Sequence, residues 1–113
     1  MGADIVFHST TKYINGHSDI VGGVLVTKDQ SLGEELAWWA NCIGITGSAF
    51  DSFLALRGLK TLPLRIKQHQ ENAEQVAEFL KNHSAIDALY FPGLKEHPGH
   101  DIAKKQQVVL VLC

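Results

Sequence analysis

Cysteine is scarce in this chain. Cys42 and Cys113 are the only two in 113 residues, far apart and outside any Cys-x-x-Cys pairing. Neither a disulfide framework nor a cysteine-rich zinc site is compatible with that usage, which leaves Cys42 as a buried thiol and Cys113 as an incidental terminal one. An excess of one charge is missing as well: ten Lys and Arg face twelve Asp and Glu, a formal net charge of −2. Without the basic surplus that phosphate-backbone binding draws on, nucleic acid is not an expected partner. No apolar run approaches the roughly 18 residues that span a bilayer, and no positively charged segment leads into an apolar one at the start. A myristoylation motif fails at Val6, where Ser or Thr is required. These absences describe one ordinary soluble domain at most, with no membrane partner, and the cytoplasm as its expected location.

What is present is a layered mixture of short apolar runs and amphipathic stretches. Residues 4–8 read as a short strand and residues 9–19 as a polar, turn-rich loop. Residues 20–26 are continuously apolar rather than alternating, the pattern of a strand covered on both faces by parallel neighbours in an α/β protein. Ser31 and Glu34 form a capping box ahead of Leu32, Leu36, Trp39, Ala40 and Ile43, predicting a helix over 31–43. Ser48 and Asp51 repeat the device before a shorter helix, 48–57, which Gly58 is expected to stop. Thr61 and Pro63 open the longest helix, 61–82, with Ile66, Ala73, Val76, Ala77 and Leu80 on one face. Residues 86–91 read as a strand, Pro98-Gly99 precedes a helical stretch through Gln107, and an apolar run closes the chain at 108–112.

Chemistry concentrates in the loop. Ser9, Thr11 and Lys12 set two hydroxyls and an amine within four residues. A lysine can form a Schiff base with an aldehyde cofactor such as pyridoxal phosphate while neighbouring hydroxyls donate to the cofactor's phosphate. Other combinations serve less well. His17-Ser18-Asp19 has the residue types of a catalytic triad, but consecutive side chains diverge and cannot line up nucleophile, base and orienting group. His8 with His17 and Asp19, or His97 with His100, offer metal-ligand types without three convergent ligands and a supporting shell. Trp38-Trp39 is read as packing, with Trp39 on the apolar stripe, and Lys104-Lys105 as a solvated helix face.

The run from Ser9 to Asp19, followed by Gly22-Gly23, resembles the cofactor-lysine signature of the Cys/Met metabolism pyridoxal-phosphate enzymes, the cystathionine γ-synthase and lyase family. The resemblance extends from Gly2 to about Gln107 and includes residues 56–62, Leu-Arg-Gly-Leu-Lys-Thr-Leu. Residues 35–41 and 44–51 are more similar to bacterial cystathionine γ-synthases than to the γ-lyases. By position, Lys12 matches the family's Schiff-base lysine, and Ser9 and Thr11 its two phosphate-contacting hydroxyls. The resemblance implies an α/β fold, part of a fold type I, aspartate aminotransferase-like transferase. Residues 1–60 would be the C-terminal part of the cofactor-binding large domain, and 61–113 the linking helix and the start of the small C-terminal domain.

It also implies a reaction: γ-replacement on an activated homoserine ester, O-succinylhomoserine, by cysteine to give cystathionine in methionine biosynthesis. Lys12 would move protons between Cα and Cβ, kept reactive by burial and a neighbouring cation. Partners would be small amino-acid substrates, and complete family members would be homotetramers. The family's chains are much longer, and their phosphate loop, ring-stacking aromatic residue, pyridinium-pairing Asp and substrate-carboxylate Arg match nothing here. The expectation is therefore a truncated chain with little or no synthase activity by itself. Its alternatives are a non-catalytic remnant that docks to a full-length homologue, or a different family member such as a γ-lyase. Residues 108–113 depart from the family's pattern, as a shift of reading frame would produce.

Overall fold

In the computed structural model, which describes residues 2–107, the β-branched and aromatic residues after Asp4 form strand β1 (Ile5–Ser9). It pairs with β2 (Gly23–Thr27) in a two-stranded antiparallel ribbon, in register from Ile5 opposite Thr27 to Ser9 opposite Gly23. The expected strand over 20–26, buried between parallel neighbours, is thus corrected in three respects. It begins later, it pairs antiparallel, and both of its faces are open, with Leu25 and Val26 about half exposed. A parallel pair would need a crossover element. Instead the connection is a closed loop, with Thr10 N–H donating to the Gly22 carbonyl at 2.9 Å, and it returns the chain alongside β1.

Helix α1 (Gln30–Ile43) follows β2 almost at once. Its N-cap is Asp29, not Ser31: the Asp29 carboxylate accepts the Leu32 N–H at 2.8 Å, and Glu34 accepts from the Gln30 amide instead of closing a box. A carboxylate at this end also meets the positive pole of the helix. Gly44 ends α1 in the left-handed conformation, φ 72°, with the Gly44 and Ile45 N–H groups closing on the last carbonyls. Helix α2 (Ala49–Leu59) starts as expected, Ser48 Oγ accepting the Asp51 N–H at 3.0 Å. It does not stop at Gly58, which lies buried inside it.

Helix α3 (Leu62–Lys81) carries the predicted amphipathic pattern, with Ala77 buried, Ile66, Ala73 and Leu80 half-buried, and Val76 exposed. The chain divides into two compact units between Leu62 and Pro63. In the second unit the strand expected over 86–91 does not form. With no described strand beside it, an extended segment would leave its N–H and C=O groups unpaired. The backbone turns repeatedly instead, with i+3 N–H groups reaching back from His83, Ile86, Leu94, His97 and His100. Lys81 Nζ holds Glu96 at 2.9 Å, and His100 Nδ1 donates to the Pro92 carbonyl at 2.8 Å. Helix α4 (His100–Gln106) buries Ala103. The apolar run at 108–112 and Cys113 lie outside the described residues. No helix among those described is long and apolar enough to cross a membrane.

Little of this surface is closed. Ile20, Ala77 and Ala103 are the buried apolar residues among those described, while Phe7, Leu25, Trp38, Trp39, Phe50 and Phe53 stand exposed. Single exposed apolar residues are ordinary, but this many on adjoining elements leaves whole strand and helix faces open.

Candidate functional site

The loop between the strands builds its own framework from backbone hydrogen bonds. Thr10–Ile14 form a wide helical turn, closed by the Asn15 N–H donating to the Thr10 carbonyl at 3.1 Å and kinked at Lys12 (φ −91°, ψ −125°). Gly16 N–H then donates to the Lys12 carbonyl at 2.8 Å. Two left-handed residues, Gly16 (φ 79°) and Ser18 (φ 58°), reverse the chain, the conformation Asn-Gly turns favour. On the return, Gly22 N–H donates to Thr11 Oγ at 3.0 Å while its carbonyl takes the Thr10 N–H.

Asn15 is the centre of the second half. Its side chain is 1% exposed, its Nδ2 donates to Asp19 Oδ1 at 2.6 Å, and its carbonyl accepts from His17 Nδ1 at 2.8 Å. Helix α2 presses against it through Gly58. A Cβ there would stand 2.7 Å from the Ile14 carbonyl oxygen and overlap the Asn15 carbonyl, so only glycine permits this approach. Gly58, expected as a helix stop, is instead the contact by which α2 seats the loop.

Each predicted site residue can now be placed. Ser9 closes β1, half-buried, and its hydroxyl has no described protein partner. Thr11, also half-buried, accepts from Gly22 N–H at 3.0 Å, and its hydroxyl donates to the Gly22 carbonyl over a long 3.4 Å between the oxygens. Lys12 is exposed, with no hydrogen bond or ion pair at its amine among the described residues. The burial expected for Lys12 is therefore not supplied by this segment. Lys12 also lies outside the adjoining groove of about 690 Å³, which Thr10, Ile14, Ile20, Val24, Ala55 and Leu59 help to line. Two hydroxyls and a free amine on one braced turn suit a phosphate-bearing aldehyde: hydroxyl protons for the phosphate, a nucleophile for the carbonyl carbon.

The competing constellations separate. His17 and Asp19 both spend polar atoms on Asn15, so no line runs through Ser18. No group of three metal-ligating side chains occurs among the described residues. Trp38 and Trp39 meet each other edge to face at 4.8 Å and are both more than half exposed in this chain, and Cys42, expected buried, is exposed. Sequence reasoning missed Asn15 and the role of Gly58. The Asn15-Gly16 turn dipeptide was the available signal for the first, and nothing local signals the second.

Comparison with known proteins gives this geometry its relatives. Residues 1–111 match the family model described as Cys/Met metabolism PLP-dependent enzyme. The chain is 56% identical over 106 residues to cystathionine gamma-synthase of Mycobacterium tuberculosis (strain H37Rv), covering 94% of this chain and 27% of that one. It is 52% identical over 106 residues to cystathionine gamma-lyase of Bacillus subtilis, covering 94% and 28%. Among solved structures, cystathionine gamma synthase from Xanthomonas oryzae pv. oryzae, in complex with cystathionine, superposes with a TM-score of 0.94 at 57% identity. That match covers 97% of this chain and 28% of that one. The chain thus spans little more than a quarter of the length of the relatives it matches, and its helices and strands form part of their fold.

Proposed function

Because this chain belongs to the Cys/Met metabolism PLP-dependent enzyme family, we propose that it carries the cofactor-lysine segment of a cystathionine γ-synthase-like protein, with Lys12 as the amine that links to pyridoxal phosphate. The observation that carries the reading is the turn itself: Lys12 presents an unpartnered amine, flanked by the hydroxyls of Ser9 and Thr11. When bound, pyridoxal phosphate supplies an aldehyde carbon and an electron-withdrawing ring. Lys12 Nζ would be the amine that holds the cofactor, and Ser9 Oγ and Thr11 Oγ would donate to its phosphate, Thr11 being oriented by the Gly22 N–H it already accepts. The same amine would move protons between Cα and Cβ of an amino-acid substrate. The substrates would be an activated homoserine ester, O-succinylhomoserine, and cysteine.

The first unit, with β1, β2, α1 and α2, would then be the end of the cofactor-binding domain, and α3 with the turns and α4 the link into the smaller one. Synthase and lyase relatives match at similar identity, so the reaction type rests on the synthase-like residues 35–41 and 44–51. Activity by this chain alone should be slight, because the ring-stacking, pyridinium-pairing and carboxylate-binding groups expected of the family match none of its residues. A second reading, docking of the chain onto a full-length homologue, is favoured by its open apolar faces. Co-purification with a tagged cystathionine γ-synthase tests it.

The test of the first reading incubates the full chain with pyridoxal phosphate, reduces with borohydride and maps the label by peptide mass spectrometry. Label concentrated on Lys12, lost in Lys12→Ala and weakened in Ser9→Ala and Thr11→Ala, is expected. Even labelling over all the lysines, unchanged by Lys12→Ala, would overturn it.

A further inference from the structure

We infer that Asn15 is a positioning residue for Lys12, acting through Asp19, and this rests on the reading of Lys12 as the cofactor amine. The turn that bears Lys12 is tethered at both ends. Its N-terminal end is tied to Gly22 by the Thr10 N–H and by Thr11 Oγ. The C-terminal end is tied at Asn15, beside the Gly16 N–H on the Lys12 carbonyl: the Asn15 N–H closes the turn on the Thr10 carbonyl, its Nδ2 reaches Asp19 Oδ1 at 2.6 Å, and its carbonyl takes the His17 Nδ1 proton. Asn15 is the one buried polar residue among those described, on a protein that otherwise buries almost nothing. Lys12 stands between these tethers, exposed and held by none of its own side-chain contacts.

That arrangement makes the backbone, not the lysine side chain, the rigid part. An amine on a flexible stem is directed only as well as the Cα it hangs from, and misplacement at the reacting centre costs rate steeply. The bond from Asn15 Nδ2 to a charged acceptor is of the stronger, charge-assisted kind. It draws Asp19 over the left-handed Gly16-to-Ser18 reversal and so fixes where the turn ends.

The donor–acceptor direction offers the test. Asn15→Asp is close in shape but sets a carboxylate against the Asp19 carboxylate. Combining it with Asp19→Asn restores a single bond with the direction reversed. Two readouts on the full 113-residue chain are needed. Hydrogen exchange of the Asn15 and Gly16 amides reports the clamp without any cofactor. The rate of borohydride-trapped pyridoxal phosphate labelling at Lys12, relative to the other lysines, reports positioning. Asn15→Asp should speed exchange and slow Lys12 labelling by about tenfold each, the ratio for losing one good hydrogen bond. The double variant should recover both to within about threefold, which assigns the effect to the bond between residues 15 and 19 rather than to either side chain alone. Unchanged exchange in Asn15→Asp overturns the clamp. Changed exchange with unchanged relative labelling overturns the positioning role. If the wild-type chain labels no lysine selectively while exchange responds and is rescued, the cofactor reading fails, and the positioning role fails with it while the clamp stands.

Discussion

The lysine loop and the ribbon it joins are neighbours in sequence and opposites in construction. From residue 9 to 22, hydrogen bonds between backbone, Thr11, Asn15, His17 and Asp19 close the loop on itself, with a buried asparagine and a glycine contact to α2 at its centre. The flanking strands and the outer faces of α1 and α2 leave Phe7, Leu25, Trp38, Trp39, Phe50 and Phe53 open. Polar closure is short-ranged and can be completed within a few turns of chain, whereas apolar faces close only against another layer. A segment about 28% as long as the matched Xanthomonas chain holds the first and lacks the second.

The comparison breaks most sharply at Gly58. Gly58→Ala places a methyl group against the Ile14 and Asn15 carbonyls, backbone that cannot rotate away. Overpacking outweighs the gain in helix propensity, for a net loss of about 2 kcal/mol. Urea titration followed by circular dichroism measures it, and a variant as stable as the parent would mean that α2 does not seat the loop.

The open region should respond in the contrary way. Leu25→Lys on the exposed face of β2 should change stability by less than about 0.5 kcal/mol while reducing self-association, because a charge on an unpaired edge strand opposes edge pairing. Sedimentation velocity checks this. A large loss of stability would show that the face is covered.

The smallest effect belongs to the exposed pair in the second unit. The hydrogen bond from Lys81, then a backbone hydrogen bond at Glu96 and the Lys81 charge, hold the Glu96 carboxyl below its ordinary value of 4.5, and the contact with Glu96 raises the Lys81 amine above its ordinary 10.5. With Glu96 lowered, the pair's contribution is present above 4.5 and fades as pH falls through the depressed value. With Lys81 raised, it is present below 10.5 and fades as pH rises through the elevated value. An NMR titration of the Glu96 carboxyl should show the low midpoint and its return toward 4.5 in Lys81→Met. An exposed pair contributes little to stability, so the midpoint rather than the melting temperature is the sensitive readout.

Much of this molecule is written locally. The 3.6-residue spacing of apolar positions marked α1, α2 and α3 to within a residue or two at most of their ends, because that pattern needs only the chain's own geometry. The Ser9, Thr11 and Lys12 chemistry, and the family likeness around it, were legible in one short run of residues. Other features needed residues distant in sequence to meet. Residues 20–26 read as a buried parallel strand, yet β2 pairs antiparallel and exposed, because strand partners and covering layers are not encoded in the strand itself. Residues 86–91 have strand composition yet run irregularly between turns, since no strand lies beside them among the described residues. Asp29 rather than Ser31 caps α1, its carboxylate taking the Leu32 N–H. Gly58 looked like a stop and became a seat, a role that exists only where α2 meets the carbonyls of Ile14 and Asn15. Sequence alone determined that two hydroxyls and an amine stand together in one short loop and where the helices run, both being matters of spacing along one chain. Tertiary structure alone decided that α2 seats the lysine loop through Gly58 and which strand pairs with which, because those are contacts between segments distant in sequence.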